Sequence, residues 1–183
     1  LATMKKVVWG VLATAKIARE RVLPGMRKSP LLEIRAIASR DEARARATAD
    51  ALDIPTAYGS YEALLADPQI DIALLEAARA GLVRAGLGVR HVNVGAVLNV
   101  QSDHLGMKGI DTLEQLAEVK RIVVEIAEDC AVLNADDINV LKMSGYTDAK
   151  VICYVTMNPG HGLVREHIRF GGRACALEAV IFR

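Results

Sequence analysis

The chain has no long apolar run, no excess of one charge and few cysteines. No stretch approaches the roughly 18 consecutive apolar residues that span a bilayer, so no membrane span is expected. Lysine and arginine total 23 against 22 aspartate and glutamate, a formal net charge of +1. That balance gives no electrostatic drive toward nucleic acid, and no Lys/Arg stripe interleaved with aromatics replaces it. Cys130, Cys153 and Cys175 lie far apart, with neither C-x-x-C nor Cys/His ligand spacing. Reduced, buried thiols in a cytoplasmic protein are therefore expected. No signal-peptide pattern is present, and Leu1-Ala2-Thr3 ahead of Met4 reads as a cloning remnant. The phosphate-cradling signature G-x-x-x-x-G-K-[ST] is missing as well.

What is present supports a globular α/β chain. Hydrophobic residues make up 52% and charged residues 25% of 183 positions, enough for one domain with a buried core. Residues 5–11 form a short apolar run that leads into ATAKIARERV, the order of a strand, a tight turn and a helix. Ile17, Ala18, Val22 and Met26 keep helical spacing, and Pro24 kinks or restarts that helix. Residues 32–39 read as a second strand, Asp41 as the cap of the helix DEARARATADAL, and 54–58 as a third strand. Ser60 caps a brief helix ending before Asp67-Pro68, and 70–75 (IDIALL) is a fourth strand. Such alternation implies an α/β fold with a doubly wound, mostly parallel sheet, a Rossmann-like three-layer sandwich.

WGVLATAKIA, AIASRDEARARA and AYGSYEALLADPQIDI cover nearly all of residues 5–72. As a set they resemble the N-terminal Rossmann unit of the Gfo/Idh/MocA family, the glucose-fructose oxidoreductase and inositol dehydrogenase group. The resemblance implies that the turn after the first strand, Gly10 and Ala13-Thr14-Ala15, faces a cofactor pyrophosphate with its backbone N–H groups. The fingerprint G-x-G-x-x-G/A is A-x-A-x-x-A here, at Ala13, Ala15 and Ala18, which adds methyl groups where phosphate approaches. Ser39-Arg40 stands where an acidic residue would hold the ribose of NAD. A hydroxyl and a guanidinium suit a 2′-phosphate, so weak binding of NADP is expected in preference to NAD. The competing reading of Arg40 is a solvated residue at a helix start. The family's catalytic Glu-Lys-Pro triplet does not occur, and no catalytic residue is assigned.

From Glu76 the texture changes. A Gly-rich connection leads to a strand at 92–100, and Thr112-x-x-Gln115 has the capping-box spacing of a helix start. Leu113, Leu116, Val123 and Ala127 share one helical face with Lys120, which either snorkels to solvent or points at a site. CAVLNADD is a strand closing in an acidic turn, 151–155 another strand, and NPGHGLVREHIRFGG a loop and helix. Two short strands, 174–177 and 180–182, follow. His91, His161 and His167 read as surface or loop residues.

EAARAGLVRAGLGV, VGAVLNVQSDHLG, GIDTLEQLAEVKRIVVE, AVLNADD and HIRFGGRA run in order across roughly 74–183. They resemble the latter part of the Mur-ligase-like central domain of the cyanophycin synthetase type. That resemblance implies Glu76 and His104 beside Mg²⁺ on ATP phosphates, and Lys120 at the active-site lysine that several Mur ligases carbamylate. It also puts Asn134 and Asp136-Asp137 in a nucleotide-proximal N-x-D-D stretch. Without a phosphate loop, Mg²⁺ and ATP are not expected to be held. The competing readings are a hydrogen-bonded loop histidine for His104 and a strand end for Glu76.

The segments meet inside IDIALLE with no Pro/Gly/Ser linker, so 1–183 is expected to form a single hybrid domain from a dinucleotide-type half (4–72) and a ligase-type half (73–183). One sheet would then run 3-2-1-4 and continue into the ligase strands. The expected function is a chimeric α/β scaffold, engineered or naturally spliced, with no complete active site and at most residual NADP-type nucleotide binding. The alternatives are a fragmentary NADP-dependent oxidoreductase completed by a partner chain, and a Mg-nucleotide module derived from an ATP-dependent amino-acid ligase. Apolar surfaces that once met other domains point to a homodimer as the partner class.

Overall fold

The computed structural model describes residues 5–77, 82, 88–102, 105–106 and 109–176. The chain divides into two compact units, Leu1–Glu76 and Ala77–Arg183. In the first, β1 (Val7–Leu12), β2 (Leu32–Ala38), β3 (Thr56–Tyr58) and β4 (Ile72–Leu75) form an all-parallel sheet in the order β3-β2-β1-β4. That is the order expected from sequence. Ala18–Val22 winds as a π-helical turn and α1 (Leu23–Met26) follows with Pro24 in its first turn. Proline lacks an N–H and its ring excludes the carbonyl four residues back, so the widened turn precedes it and the helix restarts there.

Helix α2 (Glu42–Ala51) begins where the Asp41 carboxylate accepts the Arg44 N–H at 3.0 Å. It ends as Ile54 N–H donates to Ala49 O at 2.9 Å with Asp53 at φ +48°, a Schellman closure. Ser60 accepts the Ala63 N–H at 3.1 Å and starts α3 (Tyr61–Leu65). Val11, Leu23, Ile37, Ala45 and Ala49 bury one face of the sheet beneath α1 and α2. Ala36, Ala38 and Leu64 bury the other beneath α3. This unit is therefore doubly wound.

In the second unit β5 (Val92–Val97), β6 (Ala127–Asn134), β7 (Val151–Thr156) and β8 (Arg173–Ala176) form a parallel sheet in that order. Helix α4 (Leu113–Glu125) starts in a complete capping box between Thr112 and Gln115. Helix α5 (Ile138–Leu141) runs into a 3₁₀ turn (Lys142–Tyr146), and α6 (Gly162–Arg169) precedes β8. Val97, Leu116, Val124, Ala131, Leu133, Val140, Met143, Tyr154 and Val164 form one cluster. All three helices contribute to it, so the described helices lie on one face of this sheet.

Several expectations change. The single continuous sheet is replaced by two: β4 pairs with β1 and β5 with β6, and each sheet closes over its own cluster. Ala127 is not on the α4 face, because Ile126 caps the helix and Ala127 opens β6. The strand at 180–182 lies outside the described residues. His167 is packed rather than loose: its Nε2 sits 3.0 Å from Ile152 O, which can only accept, and its ring meets Tyr154 edge-on at 4.8 Å. The cysteines are not buried. Val132 pairs with Cys153 and Val155 with Cys175, so all three thiols form a diagonal row on the face away from the cluster. Cys130 and Cys153 are half-buried and Cys175 is exposed.

Candidate functional site

The C-terminal ends of β1 and β2 open into a groove of about 410 Å³ lined by Ala13, Thr14, Ala15, Ser39, Arg40, Asp41, Arg44 and Tyr61. A lobe of about 280 Å³ adjoins it, lined by Thr14, Arg19, Arg44 and Thr48. Ligands of doubly wound sheets bind at this end of the strands. The turn after β1 has the backbone of the lost glycine: Ala13 stands at φ +73°, and its N–H is held by Ala38 O at 3.0 Å. The N–H groups of Thr14 and Ala15 meet no acceptor among the described residues. Arg19 Nε donates to Thr14 O at 3.2 Å, which steadies the turn from outside.

Ser39 is buried, and its hydroxyl accepts the Asp41 N–H at 3.2 Å. Asp41 is the only acid in the lining, and one carboxylate oxygen caps α2. Among the described residues no ion pair reaches Arg40 or Arg44. Arg44 occupies the third position of α2, where a cation opposes the helix dipole. The groove is thus electropositive, with free donors at the turn and two arginines in the same lining.

Five sequence-expected residues, Ala13, Thr14, Ala15, Ser39 and Arg40, come together here. Gly10 does not line the groove. It lies within β1, where an added Cβ would stand 2.5 Å from Leu64 Cδ2, so its role is to let α3 pack closely. Arg44, Tyr61, Arg19 and Thr48 were missed. A legible signal existed for Arg44 and Thr48: they are one helical turn apart, and a basic residue in the first turn after an Asp cap opposes the helix dipole unless an anion lies nearby.

The ligase-type residues do something else. Asn134 Nδ2 donates to Leu98 O at 2.8 Å, Lys120 Nζ donates to Asn99 O at 2.8 Å, and Asp137 Oδ2 accepts the Val100 N–H at 2.7 Å. Three side chains from α4, β6 and the following turn thereby fix three consecutive residues after β5. Asp136 accepts from Thr156 Oγ1 and from Met157 N–H, both at 2.6 Å. Those two donors, Met157 first, hold its carboxyl below the usual aspartate range. Glu76, half-buried at the end of the first unit, is pushed upward by burial. His104 lies outside the described residues. Among the described residues no three Asp, Glu, His or Cys side chains gather as a metal set; Lys120 and Asn134 donate within the fold, and the Asp136 carboxylate accepts within it. No described helix is long and apolar enough to cross a membrane.

Comparison with known proteins divides the chain in the same manner. The cyanophycin synthetase of Trichormus variabilis is 50% identical over 121 residues, 65% of this chain and 13% of that protein. D-xylose 1-dehydrogenase (NADP(+)) 2 of Haloferax volcanii is 58% identical over 65 residues, 36% of this chain and 20% of that protein. The chain therefore spans only a small part of the relatives that it matches. A solved 3-ketoreductase from Actinomadura kijaniata, in complex with NADP and TDP-benzene, aligns with 91% of this chain and 43% of its own at 16% identity, with a TM-score of 0.42. The chain joins a dehydrogenase-like segment to a ligase-like one. The family model of the Mur ligase middle domain matches residues 29–170, overlapping the dehydrogenase-like segment where both are strand–helix alternations. By that match the chain belongs to the Mur ligase middle domain family.

Proposed function

We propose that the chain is a spliced α/β scaffold, without a complete active site, whose first unit holds an NADP-type nucleotide and whose second unit serves as structure. The supporting observation is the groove at the ends of β1 and β2, which is lined both by Arg40 and Arg44, neither in an ion pair among the described residues, and by a turn with free N–H groups. Two guanidiniums favour a 2′-phosphate over a bare ribose, and the one lining carboxylate is occupied as a helix cap. NADP appears in the name of the Haloferax relative, which is consistent with that preference. The methyl groups of Ala13 and Ala15 stand where phosphate would approach, so affinity is weak. No residue is proposed as catalytic, because neither a Glu-Lys-Pro triplet nor a phosphate loop occurs in the chain. Three free thiols suit a reducing, cytoplasmic compartment.

Titration with NADPH, followed through the single tryptophan Trp9 in β1, tests this reading. Saturable quenching is expected, at least tenfold tighter than with NADH, and Arg40→Ala should weaken it about tenfold, the scale of one charge-assisted hydrogen bond. No response up to millimolar NADPH, or equal responses to NADPH and NADH, would sink it.

A further inference from the structure

We propose that Cys153 and Cys175 hold one soft, thiophilic cation of the copper(I) type between them, on the face of the second sheet that turns away from its helices.

Register sets the thiols in their row. Tyr154 lies in the cluster beneath the helices and Ala174 packs against it, so Cys153 and Cys175 face the other way. Ala131 and Leu133 belong to the same cluster, so Cys130 faces away likewise. Cys130 pairs with Val151 and Cys153 with Arg173, so each thiol stands one strand over and two residues on from the last. With strands about 4.8 Å apart and a rise of about 3.3 Å per residue, such neighbours have Cα atoms about 8 Å apart. A disulfide needs them within about 7 Å, so neither pair closes one without moving its strands. A metal has the longer reach: two thiolate bonds of about 2.3 Å in line part the sulfurs by about 4.6 Å, against about 2.05 Å in a disulfide.

Thiolates select soft ions. Zinc wants four ligands, whereas no three Asp, Glu, His or Cys side chains gather among the described residues, which suits an ion content with two. Cys175 rather than Cys130 is the second ligand. It is exposed and gives the ion an entry, while Cys130 is half-buried. Two thiols and Cu⁺ form a bis-thiolate with one net negative charge, releasing two protons with no change of oxidation state. Arg173, opposite Cys153 in the register, offsets that charge. Burial pushes the Cys153 thiol up, Cys130 and Cys175 push it further, and Arg173 opposes them. The proton therefore competes for Cys153, and binding tightens as pH rises.

Anaerobic titration of the reduced full chain with copper(I), against a chromophoric chelator, tests the proposal. One copper per chain is expected, with close to two protons released at about pH 7, where thiols are ordinarily protonated. X-ray absorption should show two sulfur neighbours. Cys153→Ser and Cys175→Ser should each weaken binding at least about a hundredfold, the advantage of a second ligand held nearby, while Cys130→Ser stays within about threefold. Unchanged far-UV dichroism in Cys175→Ser, at an exposed position, separates a lost ligand from a lost fold. Absence of binding, binding that survives Cys175→Ser, its loss in Cys130→Ser, or a third sulfur at the metal would each overturn the proposal.

Discussion

Among the described residues Ala13 has the largest positive φ of any residue other than glycine. Its φ of +73° is the left-handed conformation that costs an L-residue about 1–2 kcal/mol and glycine almost nothing. The hydrogen bond from its N–H to Ala38 O holds it there. Ala13→Gly removes the strain and also the methyl group at the groove, while it frees the unfolded chain by roughly 0.4–1 kcal/mol. At positive φ the strain is the larger effect, so a net gain of about 0.5 kcal/mol is expected from urea unfolding, together with tighter NADPH binding. A loss of stability would show that the turn does not need glycine-like geometry. At residue scale the sequence had already pointed to this position, because a fingerprint glycine is a statement about backbone geometry and alanine can be forced to obey it. Gly10 was misread for a related reason. Its neighbour in space, Leu64, is 54 positions away in a helix whose approach no local pattern reports.

Among elements, legibility follows sequence separation. The caps of α2, α3 and α4 were read correctly because each is a bond to a backbone N–H three residues on. The N-x-D-D stretch was recognised but assigned to nucleotide, and the bonds from Asn134 and Asp137 that pin residues 98 and 100 cross 36 and 37 positions. Those partners are created by the parallel pairing of β5 with β6, which no helix or turn rule contains. Asp136 does the corresponding work between β6 and β7. Its carboxyl is held below its ordinary value in the fold, so the folded protein binds fewer protons there than the unfolded chain. The contribution is complete above the ordinary aspartate value, about 3.9, and drains as pH falls through the folded one. Asp136→Asn should therefore lower stability at pH 7 by about 1 kcal/mol, a modest effect because Asp136 is solvent-exposed. The gap from the parent should close toward pH 3, as read by denaturant midpoints at both values. A gap that stays constant with pH would mean that the ionised form is not what the two donors hold.

At the scale of the whole molecule, the splice point was legible and the sheet across it was not. IDIALL has the apolar character that any buried parallel strand needs, and that character says nothing about which strand will lie beside it. In the structure β4 pairs with β1, and the clusters of the two units share no residue. Two probes can separate their stabilities. Trp9, the only tryptophan, sits in β1 and reports the first unit, whereas far-UV circular dichroism sums the helices of both. Non-coincident fluorescence and dichroism transitions are expected in urea. A substitution confined to the second unit sharpens the test. A Cβ at Gly95 would fall inside contact distance of the Val123 carbonyl oxygen, a backbone atom that cannot yield without moving α4 off β5. Gly95→Ala should therefore cost about 2–3 kcal/mol in that unit, the upper range for overpacking. Its dichroism transition should move to lower urea while the Trp9 transition stays in place. If both transitions shift together, the two sheets unfold as one cooperative body, and the seam at Glu76 transmits stability despite the separate sheets.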